Sequence, residues 1–265
     1  PARTDSVELP KGSIALTTDG VDQYAWDNDQ GALFSGTAAP RFKPKRAPIS
    51  WAGDSRRFAL QRLDYRNLRK YPLYSSTQTT PTDKSYFYAA PGDTAIPQFN
   101  VNVFDVTEKT NVKVEGAPSP SINFGASPAF NRTSDRVFVL SSTRGYKMMT
   151  LSSVDTKTGK TTLITKDSFP SWVEARGFRV VNGGEDVLYV TERDGWSHIY
   201  RFTAEGALKN QVESGAYAVS GITKVDSVAK QIYFTALGKE PGIPYYAHLY
   251  RVNFDGTGQF KFALV

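Results

Sequence analysis

Few side chains in this sequence could do chemistry, and their types exclude several classes of reaction. The 265 residues contain two histidines and no cysteine, which rules out disulfides, thiolate metal sites and a cysteine nucleophile. A serine nucleophile of the hydrolase type needs the pattern Gly-x-Ser-x-Gly, because its strained turn exposes the hydroxyl. The nearest match, GALFSG at residues 31–36, has the wrong spacing. We therefore predict no catalytic residue, and a chain that is inactive by itself.

The two histidines occupy the same place in a repeated pattern. His198 begins HIYRF and His248 begins HLYRV, fifty residues apart. We expect each imidazole to hydrogen-bond the backbone of its own repeat. Two imidazoles on different repeats, with no cysteine or acidic cluster to complete a ligand set, do not favour a metal. The sequence therefore predicts no metal site and no cofactor.

The repeat also predicts the elements that hold these residues. Short alternating strands begin near Phe58, Val137, Leu188 and Ile232, each just after a polar turn. A period of about 40–50 residues built from such strands is typical of a β-propeller, in which each repeat is one four-stranded blade. We predict an all-β fold, a β-propeller fragment with about four complete four-stranded blades plus part of another.

The blades are expected to divide the chain into consecutive segments of one propeller domain. Residues 13–20 are expected to be an outer strand of the preceding blade, so the chain is expected to be part of a longer protein. The segments are 1–47 (end of a preceding blade and a connecting loop), 48–118 (a blade with an inserted arm at 65–100), 119–168, 169–215 and 216–265 (one blade each).

Composition and charge bear on the partners. The sequence has no apolar run long enough to span a bilayer, so no membrane partner is predicted. Residues 41–70 hold ten Lys or Arg, which would suit nucleic acid. That cluster spreads over a loop, a hairpin and an insertion instead of one groove, so we predict no nucleic-acid partner.

Several segments together resemble a known family. They are ERDGWSHIY at 192–200, YYAHLYRVNFDGTG at 245–258, and SWAGDSRRFA at 50–59, a degraded Trp-Ser-Pro-Asp-Gly turn. The inserted arm, with YPLY at 71–74 and YFYAAPGD at 86–93, fits the same pattern. In this order they resemble the propeller of the dipeptidyl peptidase IV branch of the prolyl oligopeptidase family, over nearly the whole chain.

The resemblance implies a partner domain and a role. In that family the propeller caps an α/β-hydrolase domain, and the two enclose a cavity in which a substrate loses its N-terminal dipeptide. It implies that this chain is the non-catalytic propeller of a bacterial serine exopeptidase, periplasmic or otherwise exported, which gates and orients peptide substrates for a hydrolase domain outside the chain. The alternative is a stand-alone propeller that binds a protein or peptide.

The resemblance also indicates where substrate would bind. Relatives hold the substrate's free amino terminus with two adjacent glutamates, but the matching stretch, 24–46, contains no glutamate. Asp27 and Asp29 could pair with the ammonium group instead, or could form a solvated turn.

A second candidate lies where relatives place a loop facing the substrate's second side chain. Here Trp172, Glu174 and Arg176 could line a pocket and bind backbone carbonyls; alternatively, Trp172 packs between blades. Residues 192–195 are expected to form a turn with Gly195 at positive φ, and Trp196 to fill the layer between blades.

Four blades cannot close a ring of seven or eight. The open faces between blades would then expose apolar residues and strand edges. We therefore expect either a two-fold homodimer through these faces, or a chain that is the resistant remnant of a longer protein trimmed by proteolysis.

Overall fold

The fold is almost entirely antiparallel β-sheet. The computed structural model describes residues 11–21, 23–24, 26, 49–77, 79–83, 85–116, 128–174 and 176–262. Four sheets of four strands follow one another along this part of the chain, each an up-and-down meander in which neighbouring strands pair. This is the arrangement of consecutive propeller blades. The predicted fold class is confirmed.

Each blade takes four strands, and only blade 1 has an insertion. Blade 1 consists of β1 (Ile49–Trp51), β2 (Arg57–Asp64), β7 (Gln98–Asp105) and β8 (Thr110–Lys113); blade 2 of β9 (Ala129–Phe130), β10 (Arg136–Ser142), β11 (Met148–Asp155) and β12 (Thr161–Ser168); blade 3 of β13 (Phe178–Val181), β14 (Asp186–Thr191), β15 (His198–Thr203) and β16 (Leu208–Gln211); blade 4 of β17 (Ala218–Asp226), β18 (Gln231–Leu237), β19 (Ala247–Asn253) and β20 (Phe260–Lys261). A short 3-10 helix, Asn182–Gly184, connects β13 to β14.

The blades pack face to face because successive side chains of a strand point to opposite faces. In β14, Val187 and Tyr189 belong to the apolar cluster shared with blade 2. Leu188 and Val190 belong to the cluster shared with blade 4. Both faces of this strand are therefore buried, as a blade between two neighbours requires. Within the described residues, no helix is long and apolar enough to cross a membrane.

The inserted arm between β2 and β7 forms two small ladders. Its base packs on blade 1 through Leu63, Tyr65 and Leu68. The Arg144 guanidinium of blade 2 donates to the carbonyl oxygens of Asp93 and Ala90, so the arm is bound to two blades. The ladders pair β3 (Lys70–Tyr71) with β6 (Tyr86–Phe87), and β4 (Tyr74–Ser75) with β5 (Thr82–Asp83).

The segment before blade 1 differs from its prediction. Residues 11–20, which include the predicted outer strand at 13–20, contain no strand. Leu16 and Trp26 instead pack on the face of blade 1 that points away from blade 2. The buried Arg62 guanidinium donates to Asp19 Oδ2 (2.6 Å) and lies over the Tyr24 ring. A buried arginine from β2 therefore holds this segment, without strand pairing.

Three glycines repeat at the junctions between blades. Gly159, Gly206 and Gly256 all lie in the turn between the third and fourth strand of their blade, with φ between +76° and +99°. A Cβ at these positions would lie 2.2 to 2.8 Å from a backbone oxygen near the outer strand of the preceding blade. Only glycine permits this close approach.

The meander topology gives the stack two different ends. We call the loop end the one with the connections between second and third strands (65–97, 143–147, 192–197, 238–246) and the links between blades (169–177, 212–217). The turn end holds the remaining turns. Neighbouring blades are joined at each end: the Val219 N–H donates to the Ser197 oxygen (2.8 Å) at the loop end, and the Arg132 N–H to the Gly183 oxygen (2.8 Å) at the turn end.

Candidate functional site

Three of the five predicted binding residues lie together at the loop end. Trp172, Glu174 and Arg176 belong to the link between β12 and β13, which joins blades 2 and 3. The other two, Asp27 and Asp29, lie outside the residues that the structure describes. The described site is therefore this link, with the loops on either side of it.

The link is fixed at two points on blade 2. The Phe169 N–H donates to the Lys147 carbonyl oxygen (3.0 Å) and the Val173 N–H to the Tyr146 carbonyl oxygen (2.7 Å). The Val173 side chain is buried in the core between blades 2 and 3. Because Val173 points inward, its neighbours Trp172 and Glu174 are directed toward the surface.

Trp172 lies on the surface and not between the blades. Its side chain is 44% exposed, and its ring centroid is 4.5 Å from that of Tyr146. The indole N–H donates to Glu174 Oε2 (3.0 Å). The alternative in which Trp172 fills the layer between blades is therefore wrong. Two adjacent rings and one carboxylate instead form an aromatic surface with a negative edge.

Arg176 is held by Glu192, a residue that the sequence did not predict to be part of the site. Its Nε and Nη2 groups both donate to Glu192 Oε1, at 3.3 and 3.1 Å. Both side chains are about one-third exposed. Nη1 takes no part in this pair, so the guanidinium can still donate to a further acceptor such as a peptide carbonyl.

The loop that carries Glu192 is a tight turn, as predicted. The Gly195 N–H donates to the Glu192 carbonyl oxygen (2.9 Å), and Gly195 has φ +96°. Trp196, however, is 46% exposed, so its predicted place between blades is wrong. Buried positions in that layer are taken by Ile199 and Val219.

A partly buried ion pair anchors the same loop to blade 2. Arg193 Nη2 donates to Asp167 Oδ1 (2.8 Å), and Asp167 is only 4% exposed. The Thr191 hydroxyl donates to the other carboxylate oxygen of Asp167 (2.6 Å). The Arg193 guanidinium also lies over the rings of Tyr200 and Phe202. Asp167 is far from Arg193 along the chain, and no local pattern signals their contact.

His198 is bound by side chains and not by backbone, contrary to the prediction. Its Nδ1 is 2.7 Å from Asp194 Oδ2, within the same loop, and the imidazole is 1% exposed. Its Nε2 faces Glu213 Oε2 at 3.8 Å. Burial raises the pKa of Glu213. Burial also opposes ionisation of Asp194, but hydrogen bonds from His198, Trp196 and Gln211 outweigh it and lower the pKa of that carboxyl.

The five arginines in the part of 41–70 that the structure describes have acidic partners within the chain. Arg56 binds Asp105 and Glu108. Four further arginines pair likewise: Arg57 with Asp54, Arg62 with Asp19, Arg66 with Asp64, and Arg69 with Asp93. Their charges are used within the fold. In the described ranges, no group of three or more acidic or histidine side chains is placed to hold a metal ion.

Exposed aromatic and large aliphatic side chains are concentrated at the loop end. At the turn end of the described structure this class has five members, Val106 and Val228 in turns and Trp51, Leu208 and Phe260 at adjoining strand ends. The loop end has nine: Tyr71, Leu73, Tyr74 and Tyr88 on the arm, Trp172 and Trp196 near the site, and Ile243, Tyr245 and Tyr246 in the last loop. Exposed apolar side chains gathered at one end of a fold offer surface for a ligand or another domain.

Blades of this topology, with a long arm in one blade and an aromatic loop end, define the chain as part of a β-propeller. The profile of the family "Dipeptidyl peptidase IV (DPP IV) N-terminal region" matches residues 44–262. The chain belongs to this family, and the resemblance seen in the sequence is confirmed.

Similar proteins include bacterial and fungal peptidases. The crystal structure of Porphyromonas gingivalis dipeptidyl peptidase 4 superposes with a TM-score of 0.73 at 20% identity, covering 95% of this chain and 35% of that one. Dipeptidyl peptidase 4 of Trichophyton rubrum is 25% identical over 174 residues, 60% of this chain and 21% of the relative. That of Arthroderma otae is 32% identical over 75 residues, 28% of this chain and 9% of the relative. The chain thus spans about a fifth or less of these fungal relatives and about a third of the solved structure.

Proposed function

We propose that this chain is the non-catalytic propeller of a serine exopeptidase similar to dipeptidyl peptidase IV, and that it gates and orients peptides for an α/β-hydrolase domain of the same parent. The observation that carries the proposal is the concentration of exposed aromatic side chains at the loop end. They surround the 169–177 link, in which Arg176 Nη1 can donate to a further acceptor. The sequence has no Gly-x-Ser-x-Gly nucleophile, so another domain must supply the chemistry.

Each site residue has a role that its contacts suit. The Trp172 and Tyr146 rings offer an apolar surface for a substrate side chain. Arg176 can donate from Nη1 to a peptide carbonyl while Glu192 keeps the guanidinium oriented. Glu174, fixed by the Trp172 indole, provides a negative edge. Asp27 and Asp29 are the proposed partners of the substrate's ammonium group.

Kinetics of the intact parent test these roles. Trp172→Ala and Arg176→Ala should each raise KM about tenfold or more with kcat little changed, because they remove binding made equally in the ground and transition states. Asp27→Asn combined with Asp29→Asn should do the same for substrates with a free amino terminus, but not for blocked ones. Val228→Ala, an exposed change at the turn end, is the control.

The outcomes separate the two candidate functions. Unchanged KM in all site variants would contradict the binding roles. A parent without a hydrolase domain, whose chain binds peptides through Trp172 and Arg176, would identify the stand-alone binding module instead.

A further inference from the structure

A row of three polar groups, two of them buried, lies at the junction between blades 3 and 4. It starts at Asp194 in the 192–197 loop, passes through His198 at the start of β15, and ends at Glu213 in the link to blade 4. The side chains of His198 and Glu213 are each 2% exposed. Nothing in the proposed peptide site uses these groups, although the same loop carries Glu192.

Hydrogen bonds hold both ends of this row of polar groups, but not its centre. Asp194 Oδ2 lies 2.7 Å from His198 Nδ1 and also accepts from Gln211 Nε2 (2.7 Å). Glu213 Oε1 accepts from the Ile199 N–H (2.7 Å). Between them, His198 Nε2 and Glu213 Oε2 are 3.8 Å apart, without a hydrogen bond that joins them. The Tyr217 hydroxyl interacts with the Glu213 carboxyl.

The groups around Glu213 come from four elements. Blade 3 contributes His198, and the 192–197 loop contributes Asp194. The link contributes Tyr217, whose ring lies edge-on to the imidazole with centroids 5.4 Å apart. Blade 4 contributes Lys239, with Nζ 3.7 Å from the Tyr217 ring centroid. There are two further titratable neighbours. Burial raises the pKa of Tyr200, and the charges of Asp194 and Glu213 act in the same direction. The charge of Glu240 acts on Lys239.

We propose that His198 and Glu213 share one proton, and that the hydrogen bond made by this proton joins the 192–197 loop and blade 3 to the link that leads into blade 4. We call this hydrogen bond the latch. When the pair holds the proton, the carboxyl O–H donates to Nε2, or the imidazolium N–H donates to the carboxylate. Either form closes the gap with a strong hydrogen bond. When the proton leaves, a buried carboxylate oxygen faces the lone pair of Nε2, and no hydrogen bond joins the two side chains.

The direction of the pH dependence follows from burial. Because burial raises the pKa of Glu213 in the folded state, this carboxyl stabilises the fold fully below its ordinary range near 4.5. That stabilisation is lost as pH rises through the raised value. Four groups moderate the loss because they favour the ionised carboxylate: the Tyr217 hydroxyl, the Ile199 N–H, His198 and Lys239. The latch is therefore formed at acidic pH and is lost as pH rises.

Hydrogen exchange reports on the latch directly. The buried Val219 N–H donates to Ser197, across the junction, whereas the Val212 N–H donates to Ile199 within blade 3. As pH rises from below 4.5 through the raised pKa of Glu213, we expect the protection factor at Val219 to fall at least tenfold more than that at Val212. Because the chain has only two histidines, the ¹⁵N imidazole resonances of His198 should change in the same interval and can be compared with those of His248.

Glu213→Gln is the decisive variant. Its amide N–H2 can donate to His198 Nε2 at every pH, so the Val219 protection should become independent of pH while the fold is kept. Glu205→Gln, an exposed carboxylate at the turn end, should retain the wild-type step. A wild-type chain with equal protection changes at Val219 and Val212, or a step that persists in Glu213→Gln, would overturn the proposal. If Glu213→Gln does not fold, the wild-type comparison alone decides.

Discussion

Single ion pairs stabilise the turns of this fold, and Asp105 is the best defined case. Its carboxylate accepts from Arg56 Nε (2.7 Å) and from the Thr107 and Glu108 N–H groups (3.0 Å each). The hydrogen bond from Arg56 is the main reason that the pKa of Asp105 falls from 3.8 to about 2. The same side chain thus caps a turn and pairs with a neighbouring turn of its blade.

Acid should therefore destabilise the chain partly through Asp105. A lowered folded-state pKa gives stability that is present above 3.8 and is lost as pH falls through about 2. Asp105→Asn should cost about 1–2 kcal/mol at pH 6, after discounting for the solvent exposure of Arg56, and much less at pH 2. Urea unfolding at both pH values measures this difference.

Asp155 gives the matched control. It caps the corresponding turn of blade 2 by accepting from the Lys157 and Thr158 N–H groups. Among the described residues, no arginine pairs with it. Asp155→Asn should show a smaller change in cost between the two pH values. An Asp105→Asn cost that does not depend on pH would contradict the role of the Arg56 pair.

At the scale of elements, the sequence repeat predicts strands well because each strand is a local pattern. HIYRF and HLYRV lie in β15 and β19, and both are third strands of their blades. The glycine at positive φ in the 192–195 turn is also local, since its signal is in the turn itself. Strands and turns with such local patterns could therefore be predicted from the sequence alone.

The contacts of the site could not be predicted in this way, because they join residues distant in sequence. Glu192 holds Arg176, Asp167 holds Arg193, and Glu213 faces His198 only after blades have folded and stacked. Trp196 was expected between blades, and Trp172 was expected either there or in a substrate pocket. Both are exposed at the loop end, where an apolar surface has another use.

Blade stacking can be tested at one glycine. Gly159 and Gly195 both have positive φ, but a Cβ at Gly159 would lie 2.2 Å from the Lys113 oxygen, whereas Gly195 faces open space. Each change to Ala carries about 1–2 kcal/mol of backbone strain. Gly159→Ala should cost about 1–3 kcal/mol more than Gly195→Ala, because blade 2 must move away from blade 1. Equal costs in urea unfolding would mean that this contact does not hold the blades together.

At the scale of the whole molecule, the far face of blade 4 has no covering sheet among the described residues. Strand alternation places Tyr233, Leu249 and Arg251 there, opposite the buried Phe234 and Val252. In a longer parent, a further blade would cover this face. In the chain alone, we expect the face to pair with a second copy.

Light scattering at high concentration measures this directly. The chain should show about twice its mass of 29.3 kDa, and Leu249→Glu should return it to the monomer. A strictly monomeric wild-type chain would contradict pairing through this face.

The central claim is that this chain is the substrate-orienting part of a peptidase and leaves the chemistry to another domain. The most direct measurement is turnover of a dipeptidyl p-nitroanilide by the intact parent and, separately, by the 265-residue chain. We predict that the parent releases p-nitroaniline from substrates with a free amino terminus, and that the chain releases none. Turnover by the chain, or an intact parent with no turnover and no Gly-x-Ser-x-Gly in its sequence, would contradict the claim.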